Sequence, residues 1–411
     1  MTIEQNLLNA AKAGDQETIL KILNDQSIDI DPNLVDIAGR TALMWAAHGG
    51  HTAIVNTLLA DKRVDLNCND QWNTALIGAT RNGHINIVRA LLADERVDPN
   101  HAGEGSITAL VWAAYKGHSD IVRALLADER VDFNRADENG CTGLILAAVF
   151  GHINIVRALL ADERVDPNRT NEDGNTALIL AAENGHGDIV LTLLADERVN
   201  PNRANHERET ALMWAARGGH AGIVNIFLAD ERVDPNHANE RGNTALIEAA
   251  RRGHSNIVCA LLADERFDRS HADQAEEAII AATKNENDKA LRLLLEFSGQ
   301  RLSDDEIANL ADRDRDFYKR ILTRRLCRAR FRGIVRAMVM LRRIRLRTAQ
   351  AIYAPGETGF DAAAERFSTA VASHQPSSTV KLTIAETDNT TAGTVQTTDE
   401  PGQPATKRQR T

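Results

Sequence analysis

The sequence predicts an all-α solenoid of helix–turn–helix–loop units, followed by a basic helical segment and a disordered tail. Three observations predict it. Seven threonines (Thr41, Thr74, Thr108, Thr142, Thr176, Thr210 and Thr244) recur at an interval of 33 residues and then of 34. Seven glycine–histidine pairs keep the same schedule, with histidines His51, His84, His118, His152, His186, His220 and His254. Aromatic residues make up only 4% of a chain that is 43% hydrophobic, a balance suited to Ala- and Leu-rich helical stacks rather than to one large core. A fixed period in the range of roughly 20–50 residues marks a solenoid.

The chain opens with MTIEQNLLNAAKAGDQ, which lacks a basic start followed by an apolar run, so no signal peptide is expected. No stretch approaches the ~18 apolar residues of a membrane span. LLNAAKAGDQETILKIL reads as a degenerate starting unit within residues 1–38, with Asp15 in the histidine position.

Seven clear units follow in residues 39–275. One reads T-A-L-x-x-A-A-x-x-G-H-x-x-I-V-x-x-L-L-A-D-E-R-V-D-P-N and then a polar loop. The threonine is placed to cap a helix by accepting from an unpaired N–H. Leu178, Ala181 and Ala182 fall on one face of that helix, and alanine lets a neighbouring helix come close. Gly185 ends it, because glycine takes positive φ without a Cβ penalty. Ile189, Val190, Leu193 and Leu194 form the buried stripe of a second helix. Pro99, Pro167, Pro201 and Pro235 stop any continuation. Each helix is two to three turns, marginal alone in water, so it persists only by stacking on its neighbours. Residues 276–298, containing EEAIIAATKNENDKALRLLLEF, read as an ending unit in which Asn285 is expected to replace the glycine.

The pattern resembles the ankyrin repeat, through Thr-Ala-Leu, Ala-Ala, Gly-His, Ile-Val, Leu-Leu and the loop asparagines Asn67, Asn100, Asn134, Asn168, Asn202 and Asn236. Tetratricopeptide repeats share the 34-residue period, but their Trp–Gly–Tyr and Pro placement is absent. The chain departs from the ankyrin pattern where Thr-Pro-Leu-His becomes Thr-Ala-Leu followed by Met or a β-branched residue. ADERVDPN also replaces the shorter Gly-Ala ending, which sets the period at 34. The loop glycine two before the threonine (Gly39, Gly140, Gly174, Gly242) is missing at Trp72, Ser106 and Arg208, and the turn geometry there is in question. The resemblance implies a non-enzymatic scaffold that captures a partner protein on the concave surface of a curved stack; the alternative is an effector or adaptor in which the basic region 299–350 acts on the captured partner, or docks it to a membrane or a calmodulin-like protein.

Equivalent histidines in stacked units lie ~10 Å apart, whereas two ligands of one zinc must come within ~4 Å. They are therefore expected to serve packing and helix starts rather than metal or catalysis. No GxSxG, P-loop, HExxH or dinucleotide fingerprint is present, and no cofactor or catalytic residue is expected. The repeated ADER carboxylates read as a solvated acidic edge. Cys68, Cys141, Cys259 and Cys327 are far apart with no CxxC, which fits a reducing, cytoplasmic compartment.

Aligning the units reads out the partner-facing slots. Two residues after the leucine stand Trp45, Gly78, Trp112, Leu146, Leu180, Trp214 and Glu248. Before the glycine stand Tyr115, Val149 and Phe150 where other units carry polar groups such as Arg217. Interface hot spots favour Trp, Tyr and Arg. A recognition patch is therefore expected around Trp112, Tyr115, Leu146 and Phe150, flanked by Trp45, Trp214 and Arg217. The alternative is that these rings pack between first helices as core.

Charge divides the chain. Residues 1–298 hold 28 Lys+Arg against 45 Asp+Glu, whereas residues 299–411 hold 20 against 13. SDDE at Ser303–Glu306 reads as a capping box. Between Arg313 and Arg347 there are 14 basic residues and two acidic ones, among them Arg324, Arg325, Arg328, Arg332, Arg336, Arg342 and Arg343. Cys327, Phe331, Ile334, Met338 and Leu341 form a helical stripe, interrupted by Gly333. This basic segment, residues 299–353, has three readings. It packs on the acidic stack, it docks to an anionic membrane surface or a calmodulin-like protein, or it grips nucleic acid. Nucleic acid ranks last, for want of stacking aromatics and of a base-reading module. CRARFRGIVR resembles the IQ motif weakly, with Arg328 at the glutamine position and Ala337 at the final basic one. Residues 354–411, rich in Thr, Ser, Ala and Gln, read as disordered. Their final TKRQRT is a weak nuclear-import signal.

Overall fold

The structure, a computed structural model, describes residues 3–25, 30–70, 73–267 and 272–297. These form eighteen α-helices in nine consecutive pairs. The first are α1 (Ile3–Ala13) with α2 (Gln16–Asn24), α3 (Ala42–Gly49) with α4 (Thr52–Ala60), and α5 (Ala75–Arg81) with α6 (Ile85–Leu92). Next come α7 (Ala109–Lys116) with α8 (Ser119–Leu126), α9 (Gly143–Val149) with α10 (Ile153–Leu160), and α11 (Ala177–Glu183) with α12 (Gly187–Leu194). The last are α13 (Ala211–Gly218) with α14 (Ala221–Ala229), α15 (Ala245–Arg252) with α16 (Ser255–Leu262), and α17 (Ala272–Lys284) with α18 (Asp288–Phe297). Each odd-numbered helix packs on the next odd-numbered one and on its own even-numbered partner, and the even helices form a second layer. Among the described residues there is no β-ladder; isolated bridges such as Asn69–Thr74 and Ala136–Thr142 only pinch loops shut.

The core is the repeated apolar pattern made continuous. Alanine pairs such as Ala46 and Ala47, or Ala181 and Ala182, are fully buried in the first layer, and Ile–Val pairs such as Ile87 and Val88 in the second. Thr41, Thr74, Thr108, Thr142 and Thr176 accept the N–H three residues on at 3.2–3.3 Å, as the capping argument requires. Thr210 and Thr244 hold the same position without that bond, and their hydroxyls are buried without a partner.

The loop turns survive the loss of their glycines. Ser106 (φ 60°) and Arg208 (φ 59°) adopt the left-handed backbone that glycine takes at Gly140 and Gly174; Trp72 lies outside the described residues. At the ending unit the expectation for Asn285 fails. Glu286 carries the positive φ, of 53°, because Asn285 still belongs to the helix end, its N–H bonding to the carbonyl of Ala281. The second helices also stop well before the prolines: α6 ends at Leu92, where Asp94 Oδ1 accepts the N–H of Arg96 at 3.0 Å.

The histidines are staples between units. Nε2–H of His84, His152, His186, His220 and His254 donates to the carbonyls of His48, Tyr115, Val149, Glu183 and Arg217 at 3.0–3.3 Å. Those carbonyls end the first helix of the preceding unit, where intrahelical donors run out. Each histidine holds the helix-start position, but its ring makes no capping bond. The ring lies over the preceding unit's glycine: a Cβ on Gly117 would stand 2.7 Å from His152, and one on Gly50 2.8 Å from His84. At the far end Asn287 takes over, donating to the carbonyls of Ala250 and Arg251 at 2.8 and 2.9 Å.

The ADER stretch is not simply a solvated acidic edge. Glu95, Glu129, Glu163 and Glu197 are exposed as expected, but the aspartate and arginine beside them are engaged. Asp94 holds Arg96 in a two-pronged ion pair at 2.7 and 3.0 Å. The same guanidinium reaches back to the carbonyl of Leu59 at 2.9 Å. Arg130, Arg164, Arg198, Arg232 and Arg266 do likewise toward Leu92, Leu126, Leu160, Leu194 and Leu228, at 2.6–3.2 Å. A third ladder runs beside it. Asn134 donates to the carbonyl of Arg164 at 2.7 Å and accepts from the N–H of Asp166 at 2.8 Å, and Asn67, Asn100, Asn168 and Asn202 repeat the pattern.

Candidate protein-binding surface

The first helices expose one face, and the patch residues lie on it. Trp112 on α7 meets Tyr115 edge-on at 5.7 Å between ring centroids, and Tyr115 meets Phe150, just past α9, edge-on at 4.9 Å. Edge-to-face rings at this separation attract beyond their buried area. Tyr115 and Phe150 are 38% and 47% exposed, whereas Trp112 packs partly against the core. Leu146 sits half-buried between these units. The two readings of the slots therefore apply to different residues: the tryptophan side chains are part core, and the two smaller rings are partly exposed and braced by their neighbours.

Cations accompany the tryptophans. Arg81 lies over Trp112 at 5.0 Å from the ring centroid, and Lys116 over Tyr115 at 4.8 Å. Lys12 and Arg40 lie over Trp45 at 4.2 and 4.8 Å. Trp45 Nε1–H donates to Asp36 at 2.9 Å. Burial alone would raise the Asp36 carboxyl, but the Arg40 N–H, Lys12 and that indole bring it down to about 2. Aligning the units places Arg81 and Lys116 in the slots before the glycine, where Arg217 and Arg251 repeat the position of Arg81, but it does not show that these cations lie over the rings.

Trp214 and Arg217 occupy a different environment. Arg217 lies over the Trp214 ring at 4.6 Å and pairs with Glu209 and, at 3.2 Å, with Glu248. Glu248 is fully buried and also pairs with Arg251. Burial opposes its ionisation, but Arg251 and Arg217 outweigh it and hold the carboxyl below its ordinary range. Trp214 Nε1 is buried with no acceptor among the described residues. Arg217 thus acts in an internal network here. The slot alignment held one signal of it, since Glu248 stands where three other units place tryptophan.

Among the described residues no three His, Cys, Asp or Glu converge as a metal site requires. Cys68, Cys141 and Cys259 are unpaired, and burial pushes each thiol up to about 11, far from the thiolate a nucleophile needs. No helix of the described residues is long and apolar enough to cross a membrane. Arg324, Arg325, Arg328, Arg332, Arg336, Arg342 and Arg343, with the whole basic segment and tail, lie outside the described residues.

The family model for ankyrin repeats (three copies) matches residues 7–103, 97–171, 161–239, 178–271 and 216–306. Among curated proteins, osteoclast-stimulating factor 1 of Gallus gallus is 40% identical over 66 residues, covering 16% of this chain and 31% of that protein. The Xenopus laevis and Rattus norvegicus proteins of that name are 38% and 40% identical over the same length, with 29% of each covered. The chain thus spans less than a third of the length of these relatives.

Proposed function

Because this chain belongs to the ankyrin-repeat family, we propose that it is a non-enzymatic scaffold that captures a partner protein on the exposed face of its first helices. The contact is centred on Trp112, Tyr115, Leu146 and Phe150, with Trp45 and Trp214 toward either end. One observation supports this reading: Tyr115 and Phe150 project from adjacent units as a braced pair, 4.9 Å apart, and keep 38% and 47% of their surface open to solvent. Rigid aromatics held ready at a surface lose little side-chain entropy on binding, which is what a hot spot requires. The unpaired cysteines suit a reducing, cytoplasmic setting.

The test is the double variant Tyr115→Ala/Phe150→Ala. It should shift unfolding by less than about 3 kcal/mol, since what is lost is mainly two edge-on ring contacts, Tyr115 with Phe150 and Tyr115 with Trp112. Proteins retained by the immobilised wild-type chain should be lost from the variant. A large drop in stability, or unchanged retention, would assign the rings to packing instead.

A further inference from the structure

One first-helix slot is vacant. Trp45 and Trp112 occupy theirs on α3 and α7; between them, on α5, stands Gly78. Glycine inside a helix costs ~1 kcal/mol relative to alanine, and packing does not demand it. A Cβ on Gly78 would have its nearest neighbour, the Cβ of His48, at 3.9 Å, an ordinary contact. The other units fill the slot with Trp, Leu or Glu. The result is a notch of about 40 Å³ whose lining includes Arg40, Met44, His48, Asp70, Gly78 and Arg81, several times the ~10–15 Å³ needed for one water.

Its charge runs against that of the stack. Arg40 Nε–H donates to Asp70 at 2.8 Å, and that carboxylate is 1% exposed, so the pair is neutral and its arginine is fixed in place. Arg81 is exposed and, among the described residues, is paired with no carboxylate; it lies over Trp112 as Arg40 lies over Trp45. The excess is one positive charge, backed on both sides by an indole. His48 registers that field. Burial, then Arg40, Arg81 and His84, hold its imidazole below the ordinary range, and its Nδ1 accepts from Asn82 at 2.9 Å.

We propose that the notch over Gly78 is a carboxylate subsite, which receives one Asp or Glu side chain of the captured partner between the Arg81 and Arg40 guanidiniums. Arg81 supplies a planar fork that matches a carboxylate two-fold. Asp70 already neutralises Arg40, so the single net charge suits a carboxylate rather than a phosphate dianion. The exposed rings of Tyr115 and Phe150, in the next two units, give the partner's neighbouring apolar side chains a surface to lie on. This assignment rests on the protein-capture reading and adds the chemistry of one anchor.

The probe is a library of random twelve-residue peptides, selected on the immobilised full-length chain. The expected winners carry one invariant Asp or Glu with apolar neighbours. Changing that residue to Asn or Gln should weaken binding roughly ten- to hundredfold, the usual range for a charge-assisted bond. Arg81→Gln should weaken the parent peptide as much, and the two changes together should add little more. Gly78→Leu, which copies the side chain of two other units and keeps the fold, should exclude the same peptides. Winners without a fixed acidic position, no winners at all, undiminished binding to Arg81→Gln or Gly78→Leu, or preference for a phosphorylated peptide would each overturn the assignment. Loss of partner capture in Tyr115→Ala/Phe150→Ala alongside any of these would leave the capture reading standing; retained capture there would sink that reading instead.

Discussion

At the scale of single residues, the glycine–histidine pair shows what a sequence conceals. The two are adjacent in the chain, so the eye pairs them. In space each histidine covers the glycine of the unit before it, and each glycine makes room for the histidine of the unit after, except Gly253, which faces Asn287. Packing was legible from repetition, because seven equivalent rings cannot share one ion. The carbonyl partner was not, because it stands 36 or 37 residues away. A similar limit explains Asn285: asparagine is favoured at positive φ, but the helix runs one residue further and leaves that geometry to Glu286. Ser106 and Arg208 pay for the same backbone. A non-glycine residue there bears ~1–2 kcal/mol of steric cost, partly offset by the greater freedom that glycine has when unfolded. Arg208→Gly should therefore raise stability by roughly 0.5–1 kcal/mol, read as a higher urea midpoint. An unchanged or lower midpoint would mean that the exposed Arg208 side chain contributes more than its backbone costs.

At the scale of elements, helices of seven to nine residues exist here because each is covered along its length, and five of the first helices are also capped by a threonine hydroxyl. The periodicity of the sequence reveals which face is covered. It does not reveal the exception at α13 and α15, where two threonine caps fail to close and a carboxylate is buried in the first layer. Glu248 sits fully buried between guanidiniums from its own helix and from the preceding first helix. No spacing rule joins residues 31 apart. Removing Glu248 would take from Arg251 its carboxylate and leave Arg217 with Glu209 alone. Breaking a fully enclosed pair costs ~3–5 kcal/mol. Arg217 and Arg251 keep 21% and 39% exposure and can turn toward water, so Glu248→Ala should cost about 1–3 kcal/mol. Glu248→Leu separates charge from volume, because leucine fills this slot in two other units. If it restores stability, the cost was a cavity; if it is as damaging as alanine, the cost was the orphaned guanidiniums.

At the scale of the whole molecule, three ladders of histidine, asparagine and arginine tie neighbouring units through backbone carbonyls, and one of them is sensitive to acid. The arginine two residues on is the chief cause that lowers Asp61, Asp128 and Asp162 and brings Asp94 to about 2; at Asp196 burial opposes the shift and Arg198 overcomes it. A carboxyl lowered on folding binds fewer protons in the native chain than in the unfolded one, where it titrates near ~3.9. Its contribution is therefore complete above about pH 4 and is lost as the pH falls toward 2. Protonation also releases the arginine that the carboxylate aims at the preceding unit, so acid weakens the junctions between units as well as the loops. In a stack where stability is the sum of units and junctions, weaker junctions let segments open separately. The urea transition should thus shift down and broaden between pH 4 and 2. The triple variant Asp94→Asn/Asp128→Asn/Asp162→Asn should be less stable than wild type at pH 7, and the two curves should converge as the pH approaches 2. Parallel curves with equal slopes would show that these pairs take no part in the acid response, and the coupling between units would then rest on the continuous apolar core with the asparagine and histidine ladders.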